Sequence, residues 1–156
     1  TLLTLLARHP GTRVTWVVFG ARGARADEAR ASAAEFLAQA GTHDVRVLDF
    51  EESFFPHHGA EIKRAFETLK DVRPDAVLCH TRHDLHKNHQ PGVFVPLDAA
   101  VCRRKCELLR KHFATQRDRH WFDDELFLAL LRVRGMECRS PSGYAEAFHG
   151  RKLVIG

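Results

Sequence analysis

Apolar residues in the first half of the chain follow two alternating patterns, helical spacing and short continuous runs. Leu2, Leu5 and Leu6 share one face, which predicts a short helix over residues 2–8 that His9-Pro10-Gly11 ends. Residues 14–19 form an almost unbroken apolar run, as in a strand covered on both faces. The same alternation continues with a helix over 26–40 and a strand over 45–48.

A third helix and a third strand complete this alternation. Ile62, Ala65, Phe66 and Leu69 have helical spacing, and Ala76-Val77-Leu78-Cys79 predicts a strand. Helices and strands that alternate with short connections form a parallel sheet with helices on both faces. We therefore predict an α/β fold, a Rossmann-like doubly wound sheet in three α/β/α layers. In such sheets ligands bind beyond the carboxyl ends of the strands, which here are the loops 20–25, 50–58 and 80–90.

The pattern changes after residue 90. Residues 93–95 predict a short extended stretch, and residues 153–155 predict a closing edge strand. Between them, apolar residues with helical spacing predict one helix over 102–113 and another over 122–133. With 156 residues, the chain has the size of one domain, 1–156.

Charge and composition narrow the classes of function. The net charge of +4 comes without a dense Lys/Arg stripe, so nucleic acid is not the expected partner, and an anionic small molecule stays open. We expect no membrane span, because no apolar run is long enough. The four cysteines, none in a Cys-x-x-Cys pair, indicate buried thiols in a reducing cytoplasm rather than a soft-metal site.

The segment 80–89 carries the strongest chemical signal. Its four histidines, His80, His83, His86 and His89, recur at every third position, and Asp84 lies among them. Imidazole is the usual nitrogen ligand of zinc and titrates near neutral pH. If a helix begins there, His86 and His89 share a face, so that one binds metal and the other reaches the substrate. A metal or acid–base role is favoured over a plain polar loop, although two of the four histidines are open to the plain reading.

Several motifs resemble those of the LmbE/PIG-L family of zinc-dependent de-N-acetylases, and together they cover most of the chain. The more specific ones are the strand 74–79 followed by Asp84-Leu85-His86-Lys87-Asn88-His89, and the pentapeptide Tyr144-Ala145-Glu146-Ala147-Phe148. Residues 1–3, the run 14–19 and Arg25-Ala26-Asp27-Glu28 resemble other family elements in the same order. The resemblance implies a Rossmann-like hydrolase that removes acetyl from an N-acetylated sugar of the N-acetylglucosamine type.

The resemblance also implies roles for individual residues. His89 corresponds to a zinc ligand, and His86 to the residue that acts as an acid or stabilises the tetrahedral intermediate. Asp84 is a second catalytic candidate, and Asn88 and Arg25 are candidates for binding the substrate. Asn88 stands where the family often has Asp, and an amide orients His86 without raising the pKa of its imidazole.

The family's first motif, His-Pro-Asp-Asp-Glu, which supplies two further metal ligands and the general base, does not occur in the sequence. We therefore expect a strand and a metal motif before Thr1, and a further segment near residues 90–91. Without that strand the sheet has unpaired backbone groups at its centre, which is costly.

Two other functions stay open from the sequence. One is an enzyme that uses a nucleotide sugar on a similar fold, for which Gly20-Ala21-Arg22-Gly23 is a weak phosphate-binding candidate. The other is a non-catalytic protein that binds a sugar or a partner. Among weaker candidates, His57 and His58 are more often plain polar residues in such a loop, and Tyr144 and Glu146 favour packing over chemistry.

Overall fold

The computed structural model describes residues 1–79 and 91–150, in which helices and four short strands form a mixed α/β fold. The α-helices are α1 (Leu2–Arg8), α2 (Ala24–Phe36), α3 (Gly59–Glu67), α4 (Ala99–His112) and α5 (Asp124–Glu137). The strands are β1 (Arg13–Val18), β2 (Thr42–Val47), β3 (Val93–Pro96) and β4 (Ala145–Phe148). Short 3₁₀ turns lie at Glu52–His58, Lys70–Val72 and Ala114–Gln116.

The chain divides into two compact units. The parallel unit comprises Leu2–Asp75 and Glu107–His120, and the antiparallel unit comprises Thr1, Ala76–Cys106 and Trp121–Gly156. We name each unit after the strand pair that it contains. The prediction of a single domain over 1–156 stays a prediction.

In the parallel unit, β1 and β2 pair in parallel from Arg13 opposite Thr42 to Val18 opposite Val47. The intervening chain forms α2, so that this unit has the strand–helix–strand order predicted from the sequence. Its core consists of Leu6, Ala33 and Leu37, against which partly buried side chains pack, among them Trp16. The predicted α1, β1, α2, β2 and α3 are all present, although α2 ends at Phe36 rather than near residue 40.

In the antiparallel unit, β3 pairs with β4 from Val93 opposite Phe148 to Pro96 opposite Ala145. Leu97, Cys102 and Leu131 form its buried core, and partly buried side chains including Leu128 and Tyr144 pack against them. The extended stretch at 93–95 and the two later helices are confirmed, as β3, α4 and α5. The edge strand predicted at 153–155 lies outside the described residues.

The third predicted strand is wrong. Residues 76–79 have no strand structure, and the side chains of Val77 and Leu78 are 70% and 58% exposed. An apolar run of this length holds a strand only when a neighbouring strand takes its backbone hydrogen bonds and a helix covers it. Among the described residues, β1 pairs with β2 alone, so nothing supplies these interactions to residues 76–79. The described residues thus show a mixed α/β fold with a small parallel sheet and helices, and the full doubly wound sheet in three layers stays a prediction.

No helix in the two described ranges is both long enough and apolar enough to cross a bilayer.

Candidate functional site

The predicted residues of the histidine-rich segment lie outside the described residues. His86, His89, Asp84 and Asn88 all fall within 80–90. Before this segment the described chain ends at Cys79, which is exposed. After the segment it resumes at Pro91, two residues before β3. The roles of these four residues therefore stay predictions.

The two other loops predicted at the ligand edge lie side by side in the parallel unit. The Ala21 amide donates to the Leu48 carbonyl at 3.0 Å, and the Phe50 amide donates to the Phe19 carbonyl at 3.2 Å. Gly20 is needed at this crossing, because a Cβ there would lie 2.9 Å from the Phe50 carbonyl oxygen. The carboxyl ends of β1 and β2 thus lead into one edge, as expected for a parallel pair.

Arginine and histidine side chains line this edge. Arg22 donates through Nε to the Asp49 carbonyl and approaches the Glu51 carboxylate at 3.8 Å. His57 lies against the ring of Phe54 with centroids 6.0 Å apart, and His58 lies 5.7 Å from the ring of Phe50. Each imidazole therefore packs against a phenyl ring, which gives it a structural role of its own.

Arg25 lies in the first turn of α2 at the same edge, and its side chain is exposed. Glu28, the acidic residue one turn further along α2, accepts from the Thr115 amide at 2.7 Å and from the Thr115 hydroxyl at 2.6 Å. Within the described chain Arg25 has no hydrogen-bond or ion-pair partner. Its guanidinium is therefore available to an anionic or hydroxylated ligand.

An ion pair between Lys105 and Glu146 lies in the antiparallel unit, with Glu146 in the family-like pentapeptide on β4. Lys105 Nζ lies 2.5 Å from Glu146 Oε1. Burial alone raises the pKa of a carboxyl, but the charge of Lys105 opposes it here and favours a pKa of Glu146 below its ordinary value of 4.5. Glu146 is thus an ionised structural anchor, which agrees with the packing role favoured from the sequence.

We expect Lys105→Met to lower the free energy of unfolding by about 1–3 kcal/mol at pH 7, because it leaves a mostly buried carboxylate with one partner fewer. The folded pKa of Glu146 lies below its unfolded value, so the stabilisation is present above about pH 4.5 and is lost as the pH falls through the lowered pKa. Urea unfolding of both proteins between pH 7 and pH 2 measures this. The matched control is Lys111→Met, which removes an exposed lysine paired with Glu35 and should cost under about 1 kcal/mol. If Lys105→Met lowers the free energy of unfolding equally at pH 7 and pH 2, the loss comes from packing of the lysine side chain and not from its charge.

The parallel unit contains a histidine–carboxylate pair that the sequence pattern does not indicate. The Glu35 carboxylate on α2 lies 2.6 Å from His112 Nε2 and 2.6 Å from Lys111 Nζ. The His112 side chain is mostly buried. The partners are 76 and 77 positions apart in the chain, so no local spacing indicates them. The contacts of Glu35 with Lys111 and His112 thus hold the C-terminal end of α4 against α2.

In the part of the chain that the structure describes, no cluster of three or more His, Cys, Asp or Glu side chains could hold a metal ion. Cys102 and Cys106 on α4 are buried, and this burial raises the pKa of both thiols, which disfavours the thiolate that zinc needs. The donor chemistry that suits zinc, imidazole with carboxylate, is therefore concentrated in segment 80–89.

Comparisons with protein-family models, with curated proteins and with solved structures found no match to this chain. The resemblance to the LmbE/PIG-L family therefore stays a prediction that depends on the sequence motifs.

Proposed function

We propose that this chain is a zinc-dependent hydrolase that removes the acetyl group from an N-acetylated sugar of the N-acetylglucosamine type. The observation that carries the proposal is the segment His80–His89, with its four histidines and Asp84 between two described parts of the antiparallel unit. Few structural roles require so many imidazoles at a regular interval, whereas a metal-assisted acid–base site uses them directly.

The parallel unit supports the fold that this proposal needs. Two parallel strands with a helix between them form the basic element of a Rossmann-like doubly wound sheet. Their carboxyl ends meet at the edge where Arg25 and Arg22 lie. We propose that the histidines of segment 80–89 supply the metal-binding and acid–base groups.

The residues then divide the chemistry among them. His89 would hold zinc, which when bound would supply Lewis acidity at the amide carbonyl and the attacking water. Asp84 would act with His86 at the reacting amide. His86, as an imidazolium, gives its proton to the departing nitrogen, so that the carbon–nitrogen bond breaks to acetate and a free amine. Asn88 orients His86 or a sugar hydroxyl, and Arg25 binds a sugar hydroxyl or phosphate.

A non-catalytic protein that binds a sugar or a partner is the alternative function that the sequence leaves open. Such a protein binds the same sugars without zinc and releases no acetate.

Zinc content and acetate release separate the two functions. We expect the full-length protein to bind about one zinc ion and to release acetate from N-acetylglucosamine or N,N′-diacetylchitobiose. Dialysis against dipicolinate should abolish the release, and added zinc should restore it. Zinc-free protein that binds these sugars with no acetate release at any zinc concentration would establish the binding function instead.

A further inference from the structure

Helix α5 in the antiparallel unit is apolar on two opposite faces. Its inner face buries Leu131 and Gly135. Its outer face carries Leu126, Leu130 and Val133, which are 41%, 57% and 46% exposed. Their spacing of four and three residues aligns them in one stripe along the helix.

This outer stripe is unusual for a helix at a protein surface. Such a helix normally has one apolar face toward the core and a polar face toward water. Single exposed leucines need no explanation, but a contiguous stripe of large apolar side chains marks an interaction surface. Met136, which is 72% exposed, extends the surface at one side.

The start of α5 is acidic, and two arginines lie near its end. Asp123, Asp124 and Glu125 lie at the start, and Arg132 and Arg134 precede the terminal Glu137. Helical spacing places Glu125 and Arg132 on one side of the stripe, and Asp123 and Arg134 on the other. Both pairs have the same midpoint, between Leu128 and Ala129.

We propose that α5 packs antiparallel against α5 of a second copy of this chain. A two-fold axis at the level of Leu128 and Ala129 places Glu125 opposite Arg132 of the second copy, and Asp123 opposite its Arg134. The same axis places Leu130 between Leu126 and Leu130 of the second copy, so the stripes interdigitate as knobs into holes. A parallel arrangement would place like charges opposite each other.

Two contacts in the structure bear on which charge pair matters more. Arg134 already forms an ion pair with Glu137 at 2.8 Å, which competes for its charge. The Glu125 carboxylate has no partner within the described chain, and Arg132 lies over the Tyr144 ring at 5.4 Å to the centroid. The pair of Glu125 with Arg132 of the second copy is therefore the main electrostatic contribution.

The interface is small, since α5 is 14 residues or roughly 21 Å long. One helix pair covers less than the area of a standard interface, so we expect a dissociation constant on the order of 10–100 μM. The proposal does not depend on the proposed hydrolase function.

Sedimentation velocity of the full-length protein from about 1 μM to 1 mM tests the self-association. Leu130→Asp should abolish it, because a carboxylate would be buried at the centre of the stripe. The matched control is Leu5→Asp on α1, where the leucine is 40% exposed and lies outside the stripe. Circular dichroism of both variants checks that they fold. Protein that stays monomeric at 1 mM, or an association that Leu130→Asp leaves unchanged, overturns the proposal.

Charge reversal tests the antiparallel orientation. Glu125→Arg alone or Arg132→Glu alone should weaken association about tenfold, because each places like charges opposite each other. The double variant should return the dissociation constant to near that of the wild type, since the pair is re-formed with its signs exchanged. A double variant weaker than both single variants contradicts the antiparallel arrangement and supports an association through other contacts.

Discussion

His89→Ala is expected to abolish both zinc binding and acetate release, whereas His86→Ala keeps the zinc and loses about 10²–10⁴-fold in kcat. The difference follows from the two proposed roles. A metal ligand is part of a small coordination set, and removing it loses the ion and all chemistry that depends on it. A general acid acts only in the transition state, so its removal lowers kcat and changes KM little.

The pH dependence distinguishes a proton donor from a residue that only positions others. His86 must be protonated to donate, so wild-type activity should fall as the pH rises through the pKa of its imidazole. The variant His86→Ala should lose this alkaline fall along with most of its rate. Asn88→Asp is a useful companion, because a carboxylate beside His86 raises the pKa of the imidazole and should move the fall to higher pH.

His83→Ala is the matched control, since it removes an imidazole from the same segment that the family resemblance leaves unassigned. We expect it to keep zinc and to change kcat less than about tenfold. Zinc measured by mass spectrometry and acetate measured by a coupled assay give the two readouts. Equal losses for His83→Ala and His89→Ala would mean that the segment acts through its fold rather than through individual ligands.

Local patterns predicted the parallel unit well. Leu2 and Leu6 of α1, Val14 and Trp16 of β1 and Ala33 of α2 contribute to the same small core, whereas Leu5 of α1 is 40% exposed. In these elements the period of the sequence and the buried face agree, so each local preference supports the others. The parallel pairing of β1 with β2 then followed from the helix between them.

The failure at residues 76–79 shows where a local pattern stops being sufficient. Val77 and Leu78 have a strand-like sequence but lie exposed. A strand of a parallel sheet is stabilised by neighbours on both sides, so its formation depends on residues far away in the chain. The same reason explains the missed contacts of Glu35 with His112 and of Lys105 with Glu146, which are set by tertiary packing.

The candidate site is predicted mainly by residue type. Four of its five proposed residues lie in segment 80–90, outside the described residues, and their assignment depends on the histidine spacing and the family motif. Only Arg25 lies in the described part, where its exposed and unpartnered side chain suits ligand binding. The self-association proposed for α5 depends on both sequence and structure. Helical spacing predicted an apolar face that includes Leu126 and Val133, and the structure leaves these side chains exposed while Leu131 is buried.

Gly135→Ala is expected to lower the free energy of unfolding of the antiparallel unit by about 3 kcal/mol, at the upper end of the cost of overpacking. A Cβ at this position of α5 would lie 2.6 Å from the Tyr144 amide nitrogen and closer still to the Gly143 carbonyl. Both obstacles are backbone atoms, which cannot rotate away as a side chain can. The loop that carries them is held by the Ser140 amide bonded to the Gly135 carbonyl at 2.8 Å and by the Ser142 hydroxyl bonded to the Leu97 carbonyl at 2.6 Å. Alanine favours helix over glycine by about 1 kcal/mol, which offsets only part of this cost.

The matched control is Gly59→Ala at the start of α3, where a Cβ meets nothing within 4 Å and the backbone is already helical, with φ −57° and ψ −38°. There we expect the opposite sign, a gain of about 0.4–1 kcal/mol, because alanine restricts the unfolded chain without a clash. Hydrogen exchange measured peptide by peptide distinguishes the two units: Gly135→Ala should lower the protection of α5 and β4 and leave β1 and β2 nearly unchanged. If Gly135→Ala were as stable as the wild type, the close approach of α5 to the loop before β4 would be wrong, and the inner face of that helix would have to be assigned again. The sign of the difference between the two glycines thus tests the packing on which the outer, apolar face of α5 depends.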